Sequence, residues 1–249
     1  MRTGGALTPI RVAFLELRLS ACTPGDMRRV AFVGQKGGSG KSTLAIATAV
    51  EAMRRNLRVV IVDLDRQGTC RDFGAAARQS GTESPPVVSV APEDVDEIVS
   101  SLSSSYDLAV IDTPGRESSA GRSALMLCDL AVIPVQPSPA DLWASAETFT
   151  VCRKAVGVRP ELVVRPLVSR ADARRRFSKD IVQTLCDAGM QPLETVIHDR
   201  ADFPASMAMG CGPTVFAPEG KAAEEARHLV DEIFALLNIE PAEDHRAAV

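Results

Sequence analysis

The sequence predicts an α/β fold: a doubly wound, mostly parallel sheet with helices on both faces. Three observations predict it. Short β-branched apolar runs alternate with amphipathic, helix-like segments along most of the 249 residues. The apolar runs are continuous, as in strands buried on both faces. The first run, at 30–33, leads through a glycine-rich turn straight into a helical pattern.

Taken in order, strands are expected at 30–33, 58–63, 87–90, 108–112, 130–135, 162–168 and 195–197. Helices are expected near 42–55, 93–104, 118–128, 139–156, 174–188, 201–209 and 219–238. The strand at 58–63 carries Val59-Val60-Ile61-Val62 before Asp63, and that at 108–112 carries Leu108-Ala109-Val110-Ile111 before Asp112. Pro137 and Pro139 end the strand at 130–135, because proline cannot donate to a sheet ladder. In the last helix Ala222, Ala226, Leu229, Val230, Ile233, Leu236 and Leu237 form one apolar stripe.

This length suits one domain, 27–238, with a flexible extension at 1–26 and a short tail at 239–249. The net charge is −4, so nucleic-acid binding would require a local basic face. The six cysteines, at 22, 70, 128, 152, 186 and 211, form no C-x-x-C and no Cys/His pair at metal spacing. That points to a reduced, cytoplasmic setting without a zinc site. One Trp and one Tyr disfavour stacking on single strands. No apolar run is long enough to span a bilayer. Leu19-Ser20-Ala21-Cys22 looks like a lipoprotein cleavage site, but the short segment before it carries Glu16 and Arg18, so no signal peptide is expected.

The turn reads Lys36-Gly37-Gly38-Ser39-Gly40-Lys41-Ser42-Thr43, a full G-x-x-x-x-G-K-[ST] match between strand and helix. Gly37, Gly38 and Gly40 allow backbone N–H groups, with those of Ser39 and Thr43, to approach phosphates, and the helix N-terminus adds partial positive charge. Lys41 is placed to reach the β- and γ-phosphates, and Ser42 to put a hydroxyl on Mg2+. The run before Asp112 has the form of a Walker B strand, whose carboxylate holds Mg2+ through water. Asp63 and Asp65 fall at a strand end, where ligands sit in doubly wound sheets. They share one side if the strand continues through Asp65.

With Lys36 at its start, the turn resembles the deviant Walker A motif, KGGxGK[ST]T, of the ParA/MinD class of ATPases. Asp63-Leu64-Asp65-Arg66-Gln67-Gly68 resembles that family's DLDPQG segment, with Arg66 in place of the usual proline. The resemblance covers roughly 28–238 and implies an ATP- and Mg2+-dependent ATPase. In it, Lys36 crosses a dimer interface to the partner's ATP, Asp65 orients or activates water, and Asp63 supports the Mg2+ shell. Thr113-Pro114-Gly115 becomes a switch, and the segment from Gln136 to Asp141 becomes a rigid loop at the dimer interface. Ser169 and Arg170, with Phe216 and Pro218, lie by the base. The resemblance and the absence of an evident guanine motif favour ATP over GTP.

Basic residues cluster between Arg153 and Lys179. The resemblance turns Arg170, Arg174, Arg175, Arg176 and Lys179, with Arg200, into a face for non-specific DNA. The short ParA proteins fit best, and the reading is partition of plasmid or chromosomal DNA. An ATP sandwich homodimer would bind DNA, and a ParB-like adaptor would stimulate hydrolysis and release it. Localisation is expected to be cytoplasmic and nucleoid-associated. Two alternatives stand beside this reading: positioning a protein cargo by the same cycle, and a nucleotide-dependent scaffold in conjugation or metallocluster delivery. A membrane partner is not expected, because residues 239–249 are acidic and interrupted by Pro241 rather than basic and amphipathic.

Overall fold

The structure, a computed structural model, describes residues 26–115, 119–172 and 176–240, with the backbone alone along 176–179. Its elements follow the chain as β1 (Arg28–Phe32), α1 (Lys41–Arg54), β2 (Val59–Asp63), α2 (Thr69–Ser80), β3 (Val87–Ser89), α3 (Val95–Leu102), β4 (Leu108–Asp112) and α4 (Ser119–Leu127). They continue as β5 (Leu130–Val135), α5 (Pro139–Val158), β6 (Val163–Ala171), α6 (Arg176–Asp187), β7 (Val196–His198), α7 (Asp202–Ala208), α8 (Pro213–Phe216) and α9 (Lys221–Leu237).

Among the described residues the strands form one sheet in the order β3-β2-β4-β1-β5-β6-β7, and every pair is parallel. The unbroken apolar runs work on both faces. Val30 and Phe32, Leu108 and Val110, and Leu130 and Val132 point into one core with α1, α2, α7 and α9. Their neighbours Ala31, Ala109, Ile111, Ala131 and Ile133 point into the other core, shared with α3, α4, α5 and α6. Burying both sides leaves no room for polar residues in these strands, which is why the sequence pattern lacks alternation.

All seven expected strands are present. Helix α2 was not expected. Its buried side is Cys70, Phe73, Gly74 and Ala77, a helical spacing with only one large apolar side chain and thus little periodic signal. Gly68 and Gly81, both at positive φ (72° and 69°), bound it. Strand β6 runs to Ala171, three residues further than expected, through a register irregularity between Val168 and Ala171. Within it Arg170 adopts φ 53°, a left-handed conformation uncommon for a residue with a Cβ. A bulge of this kind re-aims a side chain.

The topology brings β1 and β4 side by side, where connections leave in opposite directions across the sheet. The turns after their C-terminal ends form the crevice expected to hold a ligand.

Candidate nucleotide site

The turn after β1 is shaped by Gly38 (φ 75°) and Gly40 (φ 96°). Gly40 is the N-cap of α1 and supplies no side-chain cap, so the first-turn N–H groups of α1 remain available to an anion. The carbonyls of the turn face protein donors instead. Lys41 Nζ donates to Lys36 O at 3.0 Å, Gln136 Nε2 to Gly38 O at 2.8 Å, and Ser169 Oγ to Ser39 O at 3.1 Å. Arg170 Nη1 adds a longer contact to Gly38 O at 3.4 Å. With its acceptors held by three separate elements, the loop presents mainly donors to the cavity, which is the polarity a phosphate requires.

Gly115, in the turn after β4, lies against this loop. A Cβ on it would fall 2.7 Å from Gly37 Cα and 2.9 Å from Gly37 N, so no larger residue fits without moving the phosphate loop. Thr113 Oγ1 ties the same turn to Phe32 O at 2.7 Å.

The carboxylates are placed by sheet register. Phe32 pairs with Asp112, and Asp112 pairs with Asp63, so both acids end their strands level with the start of the phosphate loop. Asp112 is completely buried, and its pKa is pushed up to about 7, chiefly by burial and then by the Asp63 charge against the lowering effect of the Ser42 hydroxyl. Its Oδ2 accepts from Cys70 Sγ at 3.4 Å, whereas Oδ1 has no hydrogen-bond partner. Burial also raises the Asp63 pKa, opposed by N–H donors from Asp65 and Arg71 at 3.0 and 3.3 Å. Strand β2 stops at Asp63, so Asp65 belongs to the following turn and the strand-alternation argument does not reach it. Asp65 Oδ1 accepts from Gln67 N at 3.0 Å, and the residue lines the cavity. An orphaned, buried carboxyl oxygen beside a second carboxyl group and the Ser42 hydroxyl is a ligand set that fits Mg2+.

The cavity holds about 920 Å3 and is lined by the phosphate loop, Asp65, Gly115, Ser169 and Arg170. Its far wall is the stretch Ile197 to Arg200 with Phe203 and Pro204. Phe216 and Pro218, expected by the base, are not among the lining residues. Helix α8 packs on α1, α7 and α9, Phe216 is exposed, and Pro218 O accepts from the Arg227 guanidinium. Sequence reading did not anticipate the far wall. Arg200 donates to Glu225 Oε1 from Nε at 2.8 Å and Nη2 at 2.6 Å, and His198 Nδ1 lies 2.8 Å from the same oxygen. Glu225, nearly buried on α9, thereby stiffens this wall.

A family model described as the CobQ/CobB/MinD/ParA nucleotide binding domain matches residues 30–211. The chain belongs to this family. It is 27% identical over 206 residues to the maintenance of carboxysome distribution protein A of Halothiobacillus neapolitanus, covering 82% of this chain and 95% of that one. It is 26% identical over 241 residues to the chromosome-partitioning ATPase Soj of Thermus thermophilus, covering 84% and 96%. The fold is shared with the septum site-determining protein MinD of Pyrococcus horikoshii, solved with Mg-ADP, at a TM-score of 0.69 and 21% identity, covering 87% of this chain and 99% of that one. The chain is therefore a ParA/MinD-family ATPase with homologues in partition and in carboxysome positioning. None of the described helices is long and apolar enough to cross a membrane.

In this ParA/MinD-family chain Lys36 stands at the rim of the cradle, with Nζ 2.5 Å from Asp141 Oδ1. Its side chain is 43% exposed and that of Asp141 9%. Asp141 is itself held in the first turn of α5, where the N-cap Ser138 hydroxyl bonds its carboxylate and its backbone N–H donates back to Ser138 Oγ at 3.1 Å. Lys36 is partly open to solvent, whereas Asp141 is buried and keeps its hydrogen bond to the Ser138 hydroxyl.

Among the described residues the basic side chains do not form one face. Arg159 donates to Glu161 and to the Leu125 and Cys128 carbonyls, and Arg165 is half-buried and bonds Val164 O. Arg170 lines the cavity and pairs with Asp199 at 3.1 Å, close to Arg200. Arg174 and Arg175 lie outside the described residues. Arg176 and Lys179 are on α6, where the backbone alone is described. Arg153 and Lys154 on α5 are exposed.

Proposed function

We propose that the chain is a Mg2+-dependent ATPase whose ATP-bound sandwich dimer binds DNA non-specifically and is released by partner-stimulated hydrolysis, the cycle that partitions plasmid or chromosomal DNA. The observation that carries this reading is Lys36: a cation at the mouth of an otherwise complete phosphate cradle, half-exposed and paired with Asp141, is available to a second copy.

The residues divide the work as follows. The N–H groups of Gly37 to Thr43 and the buried Lys41 amine bind the phosphates. Burial lowers the Lys41 pKa against the raising effects of Asp112 and Asp65, so an added anion stabilises its charged form. Ser42, Asp63 and Asp112 would hold Mg2+, which supplies charge neutralisation on the phosphates. Asp65, at the cavity wall, orients the attacking water and accepts its proton. Lys36 of each copy reaches the other copy's nucleotide, as an arginine finger does in trans. Ser169 and Arg170 close the base side. Arg174, Arg175, Arg176 and Lys179 meet the duplex, and a ParB-like adaptor couples release to cargo. The reading places the protein in the cytoplasm on the nucleoid.

The experiment is a salt titration of binding to two unrelated duplexes with ATP and with ADP. Binding should be equal for both sequences, fall steeply with salt as counterions are released, and be much weaker with ADP, since dimerisation doubles the cationic contacts. Arg174→Glu, Arg175→Glu and Arg176→Glu together should abolish it while leaving ATP-driven dimerisation. Salt-independent binding, or strong preference for one duplex, refutes this face.

A second reading, positioning of a protein cargo by the same cycle, is favoured by the likeness to the carboxysome-distribution relative. It predicts the same DNA behaviour but an adaptor carried on the cargo, so affinity capture of the adaptor separates the two.

A further inference from the structure

Cys70 lies in the first turn of α2, completely buried, and has no part in the cycle above. Its sulfur lies 3.4 Å from Asp112 Oδ2, and the ligand atoms of Asp63, Cys70 and Asp112 all fall within 4.8 Å of one another, each residue buried. A second observation, shared with the Mg2+ reading above, points to a cation among them. Asp112 Oδ1 is enclosed and has no hydrogen-bond partner, although an unsatisfied buried polar atom costs about 1–3 kcal/mol. The spacing also suits a metal. A tetrahedral ion with a sulfur bond of about 2.3 Å and oxygen bonds of about 2.0 Å sets sulfur and oxygen about 3.5 Å apart.

We propose that Asp63, Cys70 and Asp112 of the nucleotide-free protein bind a thiophilic divalent cation of the Zn2+ class, with water completing the shell from the cavity side, where Ser42, Asp65 and Thr69 line the wall. Two carboxylates and a hydroxyl alone suit a hard cation such as Mg2+. A thiolate added to that set moves the preference toward softer, borderline ions. Binding displaces the thiol proton to solvent, and the two carboxylates and thiolate together outweigh the double charge of the ion. The sequence pattern led to an expectation of no zinc site, because no Cys or His stands near Cys70 at metal spacing. The ligands come together only through the pairing of β2 with β4 and the fold of α2. This binding stands on the side chains alone. Its consequence rests on the ATPase reading: the bound ion occupies the carboxylates that Mg2+ would use, and so inhibits turnover.

The test uses the full chain, stripped of nucleotide and metal with a chelator, and Co2+ as a spectroscopic stand-in for Zn2+. The wild type should develop a thiolate-to-Co2+ charge-transfer band in the near ultraviolet, displaced by Zn2+ and not by excess Mg2+. Cys70→Ala should lose the band, and its Zn2+ affinity, measured by competition with a chromophoric chelator, should fall by more than the roughly 10–100-fold that loss of an outer-shell partner causes. Cys70→Ser, nearly the same size, should also lose the band with an unchanged circular dichroism spectrum, which separates ligand loss from misfolding. No band in the wild type, an equal band in both variants, or ready displacement by Mg2+ overturns the proposal. A Cys70-dependent band without any effect of Zn2+ on MgATP turnover leaves the site standing and refutes the assignment of the two aspartates to the ATPase reaction.

Discussion

Replacing Asp112 by Asn should stabilise the nucleotide-free protein while disabling it. The Asp112 pKa rises from 3.8 to about 7 in the fold, and this difference corresponds to about 4 kcal/mol. In the unfolded chain the carboxyl ionises near its ordinary value, so between the two values the folded state holds a proton the unfolded state has lost. Stability therefore falls as pH rises through that window, and the loss is complete once pH exceeds the folded value. Asn is nearly isosteric and neutral, and its amide oxygen can still accept from Cys70. Its amide nitrogen must find a new acceptor, which takes back part of the gain. The expected net gain at pH 8 is about 2–4 kcal/mol, or roughly 5–15 °C in Tm for a chain of this size. The assay is urea unfolding at pH 8 and pH 4.5 in the presence of a chelator, with wild type and variant compared. Most of the gain should vanish at the lower pH, where the wild-type carboxyl is protonated in the fold. At pH 8 the variant should also lose the Mg2+ dependence of nucleotide binding. Equal stability at pH 8, or a gain that persists undiminished at pH 4.5, would refute the argument that a buried charge is being held for a cation.

Lys36→Ala should leave monomeric ATP binding within about threefold of wild type, since Lys41 and the N–H groups of the phosphate loop remain in place. The same variant should abolish ATP-dependent dimerisation and hydrolysis; light scattering with a slowly hydrolysed analogue checks this, and equal dimerisation in both proteins would remove Lys36 from the trans role. Asp65→Ala should trap the ATP dimer, with turnover down at least about 100-fold as expected for loss of general base catalysis and with phosphate affinity retained; wild-type turnover would move the role to Asp63. Gly115→Ala should weaken nucleotide binding by at least about tenfold, because the new methyl group can be relieved only by shifting the backbone of Gly37, and overpacking of this kind typically costs about 1–3 kcal/mol. Calorimetric titration measures that loss, and unchanged affinity would show that the two turns are free to separate.

The sequence alone determined the class of fold and the chemical poles of the site. Runs such as Val59 to Val62 and Leu108 to Ile111 can be buried only between two layers of helices. The G-K-S step at 40–42 places its glycines, amine and hydroxyl within eight residues, so local geometry specifies the phosphate cradle. Asp63 and Asp112 were legible as strand ends. The tertiary structure decided what depends on distant pairings. Register between β2 and β4 set the two carboxylates side by side and left one oxygen of Asp112 without a partner. The weakly patterned α2 carried Cys70 under them. The bulge in β6 turned Arg170 toward the loop, and the packing of α8 on α1 and α9 left Phe216 and Pro218 outside the cavity that Ile197 to Arg200 closes. Local motifs are encoded by neighbours along the chain. The partners of a buried charge are encoded by which strands lie next to each other, and hydrophobic periodicity specifies that a strand is buried without specifying what stands beside its last residue.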